Sequence, residues 1–182
     1  LPRNGGGSFR FMVRPAPGNE MDVRLYDADV HTEGSHLLGA VAVRTAGQTF
    51  ELLSVDARLD PLALDFIKRV SGRELPYGGT LTGTVRGRDG ELNFDVTANL
   101  TAEGVSKPFA TDVTGLATFR AGNVALRRLT AKLNAFPMEA LKPLVPNLPF
   151  QGEVTGTVAL NGPPNRAPLN LDVRLDVAGG VA

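Results

Sequence analysis

LPYGGTLTGTVRG (Leu75–Gly87) is the most informative phrase in this sequence, because the chain spells it more than once. LPFQGEVTGTVALNG (Leu148–Gly162) has the same frame, and LPRNGGGSFRFMV (Leu1–Val13) is a more divergent copy. The three Leu-Pro pairs are offset by 74 and then 73 residues, and self-similarity at a fixed period is the signature of a repeat architecture. The predicted units of one continuous sheet are repeat 1 (1–74), repeat 2 (75–147) and a truncated repeat 3 (148–182).

A period of about 73 residues is long enough for several strands. In ELNFDVTANL (Glu91–Leu100) apolar and polar residues alternate strictly, and PLNLDVRLDV (Pro168–Val177) repeats the pattern. Alternation with a period of two predicts a half-buried β-strand. Gly83 and Gly156 occupy apolar positions in the first predicted strand of their repeats, where glycine often marks a bend or the close approach of another group. We predict four such strands in each complete repeat.

The fourth predicted strand of each repeat is irregular. The alternation of apolar and polar residues shifts by one position at Leu52–Leu53, and again between Leu126 and Leu129. A shift of this kind predicts either a β-bulge or two strands in place of one.

A short helix is predicted to close each complete repeat. In the first, Asp60 suits the N-cap and Pro61 the first helical position. In the second, the helix is expected to begin at Asn134 and to be shorter or broken, because Pro143 interrupts it.

The expected fold class is mainly β. Tight turns favour antiparallel neighbours, so each repeat should be a meander that joins the next edge to edge. One short helix cannot cover four or five strands, and a strongly twisted sheet relieves this by curling. We therefore expect a long curled antiparallel sheet, an open, taco-like β-groove built from repeats of about 73 residues.

Bulk composition excludes several classes of protein. Lys plus Arg and Asp plus Glu both number 19, and a formal net charge of zero argues against nucleic-acid binding. The absence of Cys rules out disulfides, thiolate nucleophiles and Cys metal sites. The first residue is Leu and the last residues follow closely on a predicted strand, so we expect a segment of a larger protein.

The combination of these motifs resembles a known family. The frame GxxxGxV after Leu-Pro, then LxxDVxL, LxxLxAxL and a short helix, is similar to the repeating units of AsmA-like proteins, and most of all to the TamB type. The resemblance implies a periplasmic, cell-envelope groove protein that shelters and conducts phospholipid acyl chains between the inner and outer membranes of diderm bacteria. It also implies an inner-membrane anchor and a BamA-like outer-membrane partner, both acting through regions outside this segment. Phospholipid is the expected cargo, and lipopolysaccharide is the alternative.

The candidate lipid-groove residues are apolar positions of the predicted strands, and for each of them an ordinary sealed core is the alternative. They are Phe9, Phe11, Val13, Leu81, Val85, Leu92, Phe94, Val96, Leu169, Leu171, Val173 and Leu175. The competing function is that of a structural or adhesive β-repeat of a large surface protein, with a closed dry core. An apolar stripe that is continuous across repeats and open on one side would distinguish a conduit from such a repeat.

Catalytic and metal sites are weakly indicated. His31 and His36 lie in DVHTEGSH near Asp27, Asp29 and Glu33, where a metal site is conceivable, but a polar turn is favoured because the motif does not recur. No serine has the context of a nucleophile elbow. We therefore expect no enzyme activity, no metal and no cofactor.

Overall fold

In the part of the chain that the structure describes, the fold is a single antiparallel β-sheet of ten strands that follow one another in chain order. The computed structural model describes residues 5–32, 34–47, 49–71, 74–120, 123–142, 152–161 and 169–176. The strands are β1 (Gly5–Ala16), β2 (Glu20–Thr32), β3 (Ser35–Ala46), β4 (Thr49–Ala63), β5 (Tyr77–Arg88), β6 (Glu91–Ala102), β7 (Phe109–Arg120), β8 (Asn123–Pro137), β9 (Glu153–Asn161) and β10 (Leu169–Asp176). The helix α1 (Leu64–Ser71) follows β4, and the 3₁₀ helix Met138–Leu141 follows β8.

The predicted mainly-β, antiparallel character is confirmed, and each strand pairs only with its neighbours in sequence. The sheet is open, with β1 and β10 as its edges. The strands β1 to β4 contain 12, 13, 12 and 15 residues, and β5 to β8 contain 12, 12, 12 and 15. The Leu-Pro pairs at residues 1 and 148 lie outside the described residues.

The shifts in alternation in the fourth strands are β-bulges, which was one of the two predicted explanations. β4 and β8 are each one continuous strand with a register shift against the preceding strand. The unpaired extra residue is Leu53 in β4 and Arg127 in β8. A bulge restores the alternation, so that apolar residues on both sides of it point to the same face.

The predicted helix start at Asp60 is wrong. β4 continues as far as Ala63, which pairs with Thr80 of β5, and α1 begins at Leu64. Pro61 lies at the register shift between Leu59 and Leu62, where its missing N–H breaks no ladder bond. Pairing with β5 therefore overrides the local helix-capping preference of the Asp-Pro dipeptide.

The predicted start of the second helix at Asn134 is also wrong, because β8 extends to Pro137 along β9. The helix that follows is a 3₁₀ helix of four residues, Met138–Leu141, in agreement with the expectation of a short one. Pro143, which motivated that expectation, lies outside the described residues.

Two helices and the sheet enclose two hydrophobic clusters, which draw their residues from β3 to β9. The first cluster lies under α1 and centres on Leu59, Leu62 and Val96, with Phe66 and Ile67 of the helix packed against it. The second lies at the 3₁₀ helix and contains Phe109, Phe136, Met138, Ala140 and Val154. The rings of Phe109 and Phe136 meet edge to face, with centroids 4.8 Å apart.

A continuous apolar face as the candidate functional site

Strand pairing places apolar residues side by side across the whole sheet. One row of cross-strand partners crosses all ten strands, and we call it the central row. Its members contain no polar side chain: Gly7, Val30, Leu37, Leu59, Gly83, Val96, Val113, Ala131, Val158 and Leu171. Cross-strand partners point to the same face, so this row defines the apolar face of the sheet.

A second row on the same face extends the apolar surface toward the other end of the strands. It crosses β1 to β8 through Phe11, Leu25, Val41, Val55, Gly87, Leu92, Ala117 and Leu126. The two rows are parallel, because both are fixed by the same register. The apolar face is therefore a band several residues wide and not a single line of contacts.

The opposite face is polar and carries cross-strand ion pairs. Arg44 donates to the Asp22 carboxylate over 2.8 Å, and Arg86 donates to Asp56 over 3.1 Å. The hydrogen bond from Arg44 lowers the pKa of Asp22, and the carboxylate in turn raises the pKa of Arg44. The sheet thus separates a charged surface from an apolar one, as the alternation in its strands requires.

The two helices cover the apolar face unevenly. The 3₁₀ helix is held to β5 by Tyr77, whose hydroxyl donates to the carbonyl oxygen of Ala140 over 2.9 Å. Burial at this contact raises the pKa of the Tyr77 hydroxyl. Ser35 fixes the start of α1, because its buried hydroxyl accepts a hydrogen bond of 2.9 Å from the N–H of Ala63.

Toward β1 the apolar face is exposed to solvent. The side chain of Phe11 is 66% exposed and that of Phe9 is 53% exposed, and Val13 and Met21 beside them are also exposed. The two phenyl rings lie with their centroids 6.5 Å apart. Together these side chains form an exposed apolar patch at the β1 edge of the sheet.

The twelve candidate residues fall in three groups. Phe9, Phe11 and Val13 are exposed on β1, although Phe9 lies at a register shift and outside the two rows. Leu81, Val85, Leu92 and Phe94 are partly buried, and Val96 is buried. The remaining four lie on β10 at register positions opposite β9, in the pairs Leu169–Leu160, Leu171–Val158, Val173–Gly156 and Leu175–Val154.

Sequence reasoning missed the contribution of the third strands. Val41 of β3 and Val113 of β7 lie in the two rows, yet neither was a candidate. Their strands alternate less cleanly, since Gly39 and Gly115 replace larger apolar residues at positions on the same face. Counting glycine as compatible with an apolar position would have added both valines to the candidate residues.

Gly83 and Gly115 are required by close approach and not by a turn. A Cβ on Gly83 would collide with the carbonyl oxygen of Asp95, and its φ of 147° is unfavourable for any other residue. A Cβ on Gly115 would collide with the ring of Phe94, which lies over this position. The glycines therefore allow neighbouring backbone and a large aromatic ring to lie close to the sheet.

The histidines lie on strands and not within the polar turn that the sequence favours, so for these two residues the prediction is wrong. β2 extends to Thr32 and β3 begins at Ser35, so His31 and His36 are directly paired across the two strands. Strand pairing continues to the last residue before the turn, which a local sequence pattern of polar residues conceals. Both rings lie on the polar face next to Asp29.

Comparison of the chain with protein-family models, with curated proteins and with solved structures gave no match in any of the three. The helices in the described part of the chain are too short or too polar to cross a bilayer.

Proposed function

We propose that this chain is a segment of a periplasm-spanning groove protein of the AsmA-like, TamB type, which conducts phospholipid between the inner and outer membranes. The observation that carries the proposal is the apolar band that the two rows form on one face of one sheet. The helix α1 covers the central row at Leu59 and Val96, and the second row continues the apolar surface past it from β1 to β8. A conduit needs such a surface, because an acyl chain must meet apolar surface at every point along its course.

The energetics fit this role. Exposing an acyl chain of about 16 carbons to water costs on the order of 12 kcal/mol, at about 0.8 kcal/mol for each CH₂. An apolar band offsets most of this without any specific contact. Ten strands spaced about 4.8 Å apart give a path of about 43 Å, which exceeds the roughly 15 Å of hydrocarbon in one bilayer leaflet.

A curled sheet and a repeat architecture belong to the proposal. The curl is expected because the short helices cannot cover the whole sheet. The repeat is supported by the corresponding strand lengths and by bulges at Leu53 and Arg127, which are 74 residues apart in the chain.

The competing function is a structural β-repeat with a closed dry core, and the two clusters beneath the helices favour it locally. A dry core would enclose the phenyl rings of β1, which lie exposed at this edge of the sheet. In the conduit the helices narrow the groove at intervals, and the lipid passes along the uncovered part of the apolar face.

Lipid extraction followed by native mass spectrometry tests the proposal. The chain is expressed in a diderm bacterium and purified without detergent, and we expect phospholipid to co-purify. Phe11→Asp places a charge on the apolar face, whereas Met12→Asp places one on the polar face of the same strand. Because Phe11 is largely exposed, its replacement should leave the fold intact.

We expect Phe11→Asp to lose most of the bound lipid and Met12→Asp to retain it. A folded wild-type chain that is free of lipid, or equal loss from both variants, would favour the closed structural repeat instead. If the extract contains lipopolysaccharide in place of phospholipid, the conduit proposal is supported and its cargo is lipopolysaccharide.

A further inference from the structure

The chain has two histidines, and strand pairing brings both to one place on the polar face. His31 of β2 and His36 of β3 are cross-strand partners at the end of their hairpin. Asp29 precedes His31 by two residues on β2, so alternation places its carboxylate on the same face. The proposed lipid path does not use any of these three side chains, because it lies on the opposite face.

The three side chains are already close enough to bind a single metal ion. Nε2 of His36 lies 2.8 Å from Oδ1 of Asp29, and Nδ1 of His31 lies 3.3 Å from the same oxygen. One ligand atom from each of the three residues lies within 4.8 Å of the others. Tetrahedral Zn²⁺ ligands at about 2.1 Å from the metal are about 3.4 Å apart, so only small adjustments are needed.

We propose that Asp29, His31 and His36 form a binding site for one divalent transition-metal ion, with Zn²⁺ as the ion to test. Two imidazoles favour Zn²⁺ and its neighbours in the first transition row over Ca²⁺ or Mg²⁺, which prefer oxygen ligands. Two histidines and one carboxylate complete three positions of a tetrahedral site and leave the fourth open. The His31 side chain is 59% exposed and that of His36 is 34% exposed, so water can reach this open position.

The arginines near Asp29 form ion pairs with other carboxylates, so they do not compete with the two histidines for the Asp29 carboxylate. Asp27, the next carboxylate along β2, forms an ion pair with Arg10 of β1. Arg58 of β4 donates to Asp60 over 3.1 Å. Arg10 and Arg58, on the strands that flank this hairpin, are thus engaged with other carboxylates.

Imidazole NMR gives a direct test, because the untagged 182-residue chain has only two histidine rings to observe. Zn²⁺ is added to the protein in a non-chelating buffer while the ¹H–¹³C signals of both rings are followed. We expect both sets of signals to shift together, to saturate at one equivalent of Zn²⁺ and to return on addition of a chelator.

Two variants and a control make the test specific. His36→Gln removes a ligand and Asp29→Asn removes the carboxylate charge at nearly constant volume, and each should weaken Zn²⁺ binding at least about tenfold. Asp95→Asn changes an exposed carboxylate on the same face of β6 and should bind Zn²⁺ like the wild type.

The proposal is overturned if neither ring responds to Zn²⁺, if only one ring responds, or if Asp29→Asn binds as tightly as the control. Far-UV circular dichroism establishes that each variant keeps its β-structure. Asp29→Asn remains informative if the partly buried His36 cannot be replaced without unfolding the chain. If the chain binds Zn²⁺ but carries no lipid, the metal site is supported and the proposed lipid groove is not.

Discussion

Gly83 occupies a position of β5 where no side chain fits. Its φ of 147° and the adjacent Asp95 carbonyl exclude a Cβ at this position. We predict that Gly83→Ala lowers the free energy of unfolding by at least about 2 kcal/mol, through backbone strain and overpacking together. Urea denaturation followed by circular dichroism measures the loss.

Gly6→Ala is the matched control for that substitution. A Cβ on Gly6 would meet only the His31 ring, at 3.9 Å, so its replacement should change the unfolding free energy very little. Equal losses from Gly83→Ala and Gly6→Ala would mean that close packing across β5 and β6 has no special role.

The Asp22–Arg44 pair makes stability depend on pH in a defined direction. The hydrogen bond from Arg44 lowers the pKa of Asp22 below that of the unfolded chain, where Asp titrates at about 3.9. The pair therefore stabilises the fold above about pH 4, and this contribution is lost as the pH falls through the lower, folded-state pKa.

We predict that Asp22→Asn flattens the acid side of the stability profile and leaves the remaining pH dependence in place. Denaturation midpoints measured from pH 7 down to pH 2, with Asp95→Asn as the control, test this expectation. An unchanged acid slope in Asp22→Asn would show that the ion pair has no effect on folding.

At the scale of elements, the two short helices stabilise the sheet by covering part of it. Phe136 of β8 is only 5% exposed and packs edge to face on Phe109. We predict that Phe136→Ala lowers the unfolding free energy by about 3 to 5 kcal/mol, since it removes a buried ring and leaves a cavity.

The same truncation at Phe11 should cost less than about 1 kcal/mol, because little apolar surface of that ring is buried. Chemical denaturation of the two variants side by side makes the comparison. A similar loss at both positions would indicate that Phe11 is enclosed in solution, as the closed structural repeat requires.

Strands were predictable from the sequence, whereas the helix boundaries and the strand pairing of the two histidines were not. Alternation in Glu91–Leu100 and the shift in alternation beside Leu53 are local signals, and the structure follows both. Asp60–Pro61 is also a local signal, but pairing of β4 with β5 outweighs it. His31 and His36 come together only through the register of two strands, which composition alone does not reveal.

At the scale of the whole molecule, stability should be graded along the sheet. The buried clusters draw on β3 to β9, whereas most of β1 is exposed and pairs with β2 alone. We predict that hydrogen exchange is slowest in β5 to β7 and fastest in β1, because edge strands open without disturbing the rest. Exchange measured by mass spectrometry on peptides from each strand gives the profile.

Uniform protection from β1 to β8 would contradict this expectation and indicate a single all-or-none unit. Removal of residues 1–16 is the complementary experiment, since it deletes β1 without touching the buried clusters. The shortened chain should keep its cooperative thermal transition, with β2 as the new edge.

The strands lie in the sheet in the order in which they occur in the chain, and this order affects how the sheet can form during synthesis. Each strand after β1 finds its partner immediately upstream in the chain, so no strand has to wait for a distant one. A polypeptide that emerges from a ribosome, or threads N-terminus first through a narrow translocation pore, can lay down this sheet one hairpin at a time. The growing edge is always the newest strand, and the nascent chain acts as its own template.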